Sequence, residues 1–394
     1  MPFNLADDLT QRREAGLYRQ TKQLRSAQGP NVETEEGSFL AFCSNDYLGL
    51  AADPRLADAF HQATKQYGFG AGAAHLVNGH FEVHEALESE LARWTGREAA
   101  VLFSTGYMAN MGVISALLDK QDAVFQDKWN HASLLDGGFL SGARSQRYLH
   151  KDLDNLETKL LRSDARRKLI VTDGVFSMDG DKANLSALSS LAKQHDAWLM
   201  VDDAHGMAAL GETGAGLCEE QGVTQNDVAI LMGTLGKGFG TAGAFVAGSQ
   251  LLIDYLKNFA RQYIYTTAMP PALAASTLTS LKIIETEPER RDHLNRLVMY
   301  FRKEALAMGI NLMDSDTAIQ PVLIGDAEQA LSISASLKQK GILVPAIRPP
   351  TVPAGTARLR ITLSASHTVD HVNQLLDGLG ALSISNDNAS KETP

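Results

Sequence analysis

The sequence has little that would place it outside the cell or in a membrane. Its 394 residues include only two cysteines, Cys43 and Cys218, far apart and without ligand spacing around them. That excludes a disulfide framework or a thiolate metal site and suits reduced thiols, so no metal is expected. No stretch approaches the ~18 uninterrupted apolar residues of a membrane span. The opening "MPFNLADDLTQRREAGLYRQ" lacks the apolar core of a secretory signal, so the expected location is cytoplasmic. Basic residues are outnumbered, 36 against 46 acidic for a net charge of −10, and form no long run. Nucleic acid and anionic membrane are therefore poor partners.

Familiar nucleotide fingerprints are missing too. "MGTLGKGFGTAG" at 232–243 places Lys237 among five glycines. A P-loop needs a glycine where Leu231 stands and a hydroxyl where Gly238 stands. Gly238, Gly240 and Gly243 match a dinucleotide motif in spacing, but "AFVAG" at 244–248 reads as another strand rather than the required helix.

What is present is a repeated alternation. Short apolar runs, "AAVLF" (99–103), "DAVFQD" (122–127), "KLIVTD" (168–173), "AWLMVDD" (197–203), "VAILMG" (228–233) and "AFVAG", are separated by helical patterns. Val83, Leu87, Leu91 and Trp94 recur at helical spacing, as do Leu185, Leu188 and Leu191. The alternation predicts an α/β protein with a mostly parallel central sheet covered by helices, and ligands outside the carboxyl ends of its strands. Residues 4–28 read as a charged helix, giving an amino-terminal helical segment at 1–45. A large domain follows at 46–285, then a smaller α/β domain at 286–383 and a disordered polar tail at 384–394.

"VDDAHG" at 201–206 puts a carboxylate where a buried strand meets its loop. Burial of that charge calls for a cationic or hydrogen-bonding partner. A protonated pyridine ring would serve, and pyridoxal phosphate (PLP) also needs a lysine, which Lys237 supplies one strand later. Read singly, each residue has a structural alternative: Asp202 as a helix cap or half of an ion pair, His131 and His205 as bonded core histidines, Arg360 as the partner of a protein carboxylate. Lys237, Arg19, Ser177 and Thr234 read singly as solvated loop or helix groups, Tyr107 as core and Gly106 as a turn.

Taken together, "TDGVFSMDGD", "VDDAHG", "GTLGKGFG" and "RPPTVPAGTARLRITLSASHT" resemble the α-oxoamine synthases, from about Leu9 to Leu382. These are fold-type I PLP-dependent transferases that condense an amino acid with an acyl thioester and release carbon dioxide. The segment "RPPTVPAGTARLR" is similar to the members of the biotin pathway, which implies L-alanine and a pimeloyl thioester, on coenzyme A or acyl carrier protein, as substrates. Sister enzymes using glycine or serine share the same core, and an aminotransferase or a non-catalytic subunit of this fold are the other readings.

The resemblance implies that Lys237 carries the cofactor and removes the α-proton, and that Asp202 pairs with the ring nitrogen. His205 and Ser177 bond the phenolic oxygen or its surroundings, while His131 stacks over the ring and helps polarise the acyl carbonyl. Gly106, Tyr107 and Thr234 hold the phosphate. Arg360 takes the amino-acid carboxylate, and Arg19, Asn45 and Thr351 line the substrate side. The family also implies a homodimer in which Thr266 or Thr267, the first favoured, reaches a neighbouring subunit's phosphate. One departure is "GFGAGAAHLVNGHFEVH", where Ala73, Ala74, Leu76, Val77 and Asn78 replace a stretch richer in glycine and serine.

Overall fold

The computed structural model describes residues 4–381. The tail expected at 384–394, and the last two positions of the small domain, lie outside the described residues.

Seven strands form the central sheet: β3 (Ala99–Phe103), β4 (Ala123–Asp127), β5 (Arg144–Tyr148), β6 (Lys168–Asp173), β7 (Trp198–Asp202), β8 (Ile230–Thr234) and β9 (Ala244–Gly248), with β1 and β2 preceding them in the chain as β1 (Asn31–Thr34) and β2 (Gly37–Ala41). Their order across the sheet is β3-β9-β8-β7-β6-β4-β5. β9 runs antiparallel to both neighbours, and the remaining pairs are parallel. Six strands therefore deliver their carboxyl ends to one edge. The apolar runs are continuous because both faces are covered: Val101, Val124 and Val171 pack into one layer, Leu102, Phe125 and Ile170 into the other.

The helix Glu82–Trp94 turns Leu87, Leu91 and Trp94 inward, as its periodicity predicts. Truncating Leu87, which is fully buried, would cost about 2–5 kcal/mol. β5 is the strand that hydrophobicity does not announce. "RSQRY" lies at the sheet border with only Tyr148 buried, so it needs no apolar run.

The amino terminus departs from expectation. The helix covers only Leu5–Glu14, buries no side chain and ends at Gly16 in a left-handed conformation (φ +64°). Residues 31–41 instead form the hairpin of β1 and β2, whose inner strand pairs in parallel with β11 (Ile342–Leu343), a strand that follows β10 (Ile319–Gly325) in the chain. A second small sheet has the order β10-β13-β12, with β12 at Ala346–Ile347 and β13 at Ala357–Thr362. β13 is buried throughout and carries Arg360.

Candidate active site

The loops after the parallel strands converge on one edge. β3 leads to Gly106, β4 to His131, β6 to Asp173 and Ser177, β7 to Asp202 and His205, and β8 to Thr234 and Lys237. Arg360 reaches the same place from the small sheet, where its Nε donates to the Ser177 carbonyl at 2.5 Å.

A hydrogen-bonded line connects the two cations. Lys237 Nζ lies 2.9 Å from His205 Nε2, and the Tyr47 hydroxyl lies 2.5 Å from His205 Nδ1. The Tyr47 hydroxyl donates to Asn45 Oδ1 at 3.4 Å, and Arg360 Nη2 donates to the same oxygen at 3.3 Å. An amine donating to Nε2 fixes the proton of a neutral His205 on Nδ1, pointing at the Tyr47 oxygen. Burial, reinforced by Lys237 and Arg360, drives His205 well below the usual histidine range. Burial lowers Lys237 as well, against the opposing pull of Asp202 and Asp173. It pushes the Tyr47 phenol up to about 12.

Two carboxylates stand in register at the ends of adjacent strands, Asp173 beside Asp202. Asp202 accepts Asn110 Nδ2 at 2.7 Å and the Ala204 amide at 3.0 Å. Asp173 accepts the His131 amide at 2.7 Å, and burial together with the Asp202 charge raises it far above the carboxylate range. Asp202 stays tied to Asn110 and the Ala204 amide, while Asp173 positions His131. Asn110 also donates to Ser133 Oγ at 2.8 Å, and its own oxygen is buried without a partner.

The helix Gly106–Leu117 points its start at the same edge. Thr105 caps it by accepting the Met108 amide at 3.2 Å. The Gly106 and Tyr107 amides open the helix and have no carbonyl within it to bond, a natural anion cradle. Only glycine fits at 106, because a Cβ there would stand 2.7 Å from Thr234 Cγ2. Thr234 Oγ1 donates to the Ala204 carbonyl at 3.3 Å, which lays it across this helix start. The lysine turn is equally confined: Gly240 has φ +68°, and a Cβ on it would meet the Ala51 amide nitrogen at 2.4 Å.

His131 Nδ1 bonds Ser133 Oγ at 2.8 Å, and its ring meets Tyr107 edge-on. An open cavity of about 520 Å3 runs from His131 and Ser177 to Thr351. Lys237, Asp202, His205, Gly106, Tyr107, Thr234, His131, Ser177, Asn45, Thr351 and Arg360 therefore share one region. Arg19 does not join them. It is exposed beyond the end of the first helix and has no side-chain bond to any of them. Thr267 bridges to Ala74, away from this line, and Thr266 is half-buried beside it.

Sequence reasoning passed over Tyr47, Asn110, Ser133 and Asp173. Asp173 carries the same signal as Asp202, an acid closing an apolar strand. Asn110 is the lone amide in the apolar helix "GYMANMGVISAL".

The aminotransferase class I and II family model matches residues 38–379. The chain is 57% identical over 376 residues to the 8-amino-7-oxononanoate synthase of Cellvibrio japonicus, spanning 95% of this chain and 94% of that protein. It superposes on a serine palmitoyltransferase variant from S. paucimobilis, solved with PLP and myriocin bound, at a TM-score of 0.90 and 31% identity over 96% of each chain. The 8-amino-7-oxononanoate synthase of Francisella tularensis gives a TM-score of 0.77 at 31% identity, covering 87% of this chain and 97% of that one.

Proposed function

The chain belongs to the 8-amino-7-oxononanoate synthases of the class I and II aminotransferase family, and from that premise we propose that it is a PLP-dependent acyltransferase of biotin biosynthesis. It joins L-alanine to a pimeloyl thioester, giving 8-amino-7-oxononanoate, carbon dioxide and free thiol.

The donor set suits the cofactor. A secluded amine, a strand-end carboxylate with lone pairs to spare, unbonded amides at a helix start and an orphaned amide oxygen at Asn110 surround one space. Bound PLP supplies an aldehyde that captures amines and a cationic ring that draws electron density from an attached α-carbon. Lys237 anchors it, and the lowered basicity of Nζ keeps an amine available to take the α-proton of alanine. His205 orients that amine from 2.9 Å. Asp202 would pair with the ring nitrogen of the bound cofactor, its carboxylate oriented by Asn110 and the Ala204 amide. The Gly106 and Tyr107 amides and the Thr234 hydroxyl would hold the phosphate. Ser177 and His205 would serve the phenolic oxygen, and His131 would lie against the ring and polarise the acyl carbonyl. Arg360 binds the alanine carboxylate, with Asn45 and Thr351 on the substrate side.

One observation carries this reading. Among the described residues, no carboxylate pairs with the buried Arg360, whose guanidinium donates only to neutral oxygens of Ser177, Thr362 and Asn45. A buried cation so arranged is a receptor for an incoming anion. The test is the absorbance spectrum with and without L-alanine, followed by product analysis. A visible band that shifts with alanine, with release of carbon dioxide and thiol from a pimeloyl thioester, is expected. Preference for glycine or serine, or keto acid without carbon dioxide, would overturn it.

The active form is a cytoplasmic homodimer. Phe69 (75%), Val77 (78%) and Tyr265 (70%) are exposed within five residues of Ala74 or Thr267, the two ends of one β-bridge, apolar side chains that a second subunit would cover. There Thr266 reaches the partner's phosphate. Residues 46–285 act as the cofactor-binding unit and 286–381 as the smaller unit that delivers Arg360.

A further inference from the structure

The cavity beyond His131 carries a second set of charges that the reading above does not use. Its walls are largely apolar, with Trp129, Leu135, Phe176 and Val352 among them. Three cations line it: Lys128, Arg147 and Arg358. Arg358 is buried and neutralised by Asp179, so its charge is spent. The other two are different. Both are exposed, and among the described residues neither forms an ion pair. Arg147 Nη2 donates to the Lys128 carbonyl, which draws the two residues together at the mouth.

Nearby acids are already committed. Asp127 and Asp181 hold His150, Asp136 accepts the Tyr107 hydroxyl, and Asp179 holds Arg358. Among the described residues, none of these acids is paired with Lys128 or Arg147. Lys128 and His131 are three residue steps apart, at most about 10 Å of extended backbone. That is the scale of a short acyl chain laid between a reacting carbonyl at His131 and an anion at the mouth.

We propose that Lys128 and Arg147 form an anion subsite for the acyl donor, with the apolar wall taking its methylenes. This rests on the function proposed above. The anion has two possible sources, the distal carboxylate of the pimeloyl chain or the phosphates of the thioester carrier. Lys128 and Arg147 are positioning residues, and their effect falls on binding of the donor rather than on chemistry at the α-carbon.

The experiment compares wild type with Lys128→Ala, Arg147→Ala and the double variant, all loaded with PLP. Each single change should raise KM for pimeloyl-CoA about threefold and the double about tenfold, with kcat nearly constant. KM for alanine and the alanine-induced spectral shift should stay at wild-type values, and Lys128→Arg should restore most of the affinity. Two further donors locate the anion. Loss of the effect with heptanoyl-CoA assigns it to the distal carboxylate, and loss with the pimeloyl thioester of N-acetylcysteamine assigns it to the carrier phosphates. An unchanged KM in the double variant, or an equal rise with the heptanoyl thioester of N-acetylcysteamine, which carries neither anion, overturns the subsite. Failure of wild type to use any pimeloyl thioester would instead remove the reaction, and the subsite with it.

Discussion

Two histidine–carboxylate clusters sit on the same edge of the central sheet, and they behave oppositely. At the ends of β4 and β5, His150 lies between Asp127 at 3.0 Å and Asp181 at 2.9 Å, while Lys151 Nζ adds a 2.9 Å bond to Asp181. The His150 ring stacks on Trp129 with centroids 3.9 Å apart. Burial opposes its charge, but the two carboxylates outweigh burial and raise it to about 9. Two anions and two cations cancel, and only Asp181 Oδ1 is left without a partner. A few strands away, Asp173, Asp202, His205, Lys237 and Arg360 contain comparable groups in an incomplete arrangement. His205 is neutral, Lys237 leans on it instead of on a carboxylate, and Arg360 faces only neutral oxygens. A closed set of charges stabilises the fold. An open one waits for a ligand.

The contrast can be broken most severely at Lys237. Lys237→Ala should reduce turnover at least about 10⁴-fold and abolish the visible absorbance band, both read on purified protein. Retained turnover would show that the amine is not the base. Next, Asp202→Asn keeps shape and the Ala204 contact but removes the charge. Its kcat should fall about 10²-fold while the thermal midpoint moves little. Arg360→Lys replaces a planar fork with a point charge, and kcat/KM for alanine should fall about tenfold or more, chiefly through KM. Steady-state kinetics with varied alanine decide it.

The smallest effect on activity should come from the closed cluster. His150→Gln should leave kcat within about twofold yet lower stability in a pH-dependent way. The folded-state value lies above the unfolded one of about 6.5, so the stabilisation is complete below that pH and is lost as pH rises through about 9. On the order of 2 kcal/mol is at stake, since the side chain is only 15% exposed. Thermal midpoints of the two proteins should therefore differ most near pH 6 and converge above pH 9. A constant difference across that range would assign the loss to packing on Trp129.

The same contrast explains what the sequence disclosed. Strands buried on both faces must be apolar along their length, so β3, β4 and β6 to β9 are visible as runs of letters. β5 has one neighbour and an exposed backbone edge, and "RSQRY" hides it. The pairing of β2 with Ile342–Leu343 joins segments far apart in the chain, which no local pattern reports. In the site, Lys237 and Asp202 stand out because a charge in apolar or glycine-rich surroundings demands a reason. Tyr47 sits in a turn-rich stretch, and its importance comes only from the 2.5 Å approach to His205. Arg19 was marked by family resemblance alone, and its solvent-facing position reflects a helix that stops at Glu14.

The seat of Gly240 bears on how this catalyst could be reshaped. With backbone atoms of Leu50 and Ala51 filling the space a methyl group would need, any larger residue there must push the lysine turn and the Tyr47 turn apart together. Engineering toward other acyl donors should leave 236–243 untouched and draw its diversity from Pro350, Val352 and Pro353, loop residues of the cavity wall.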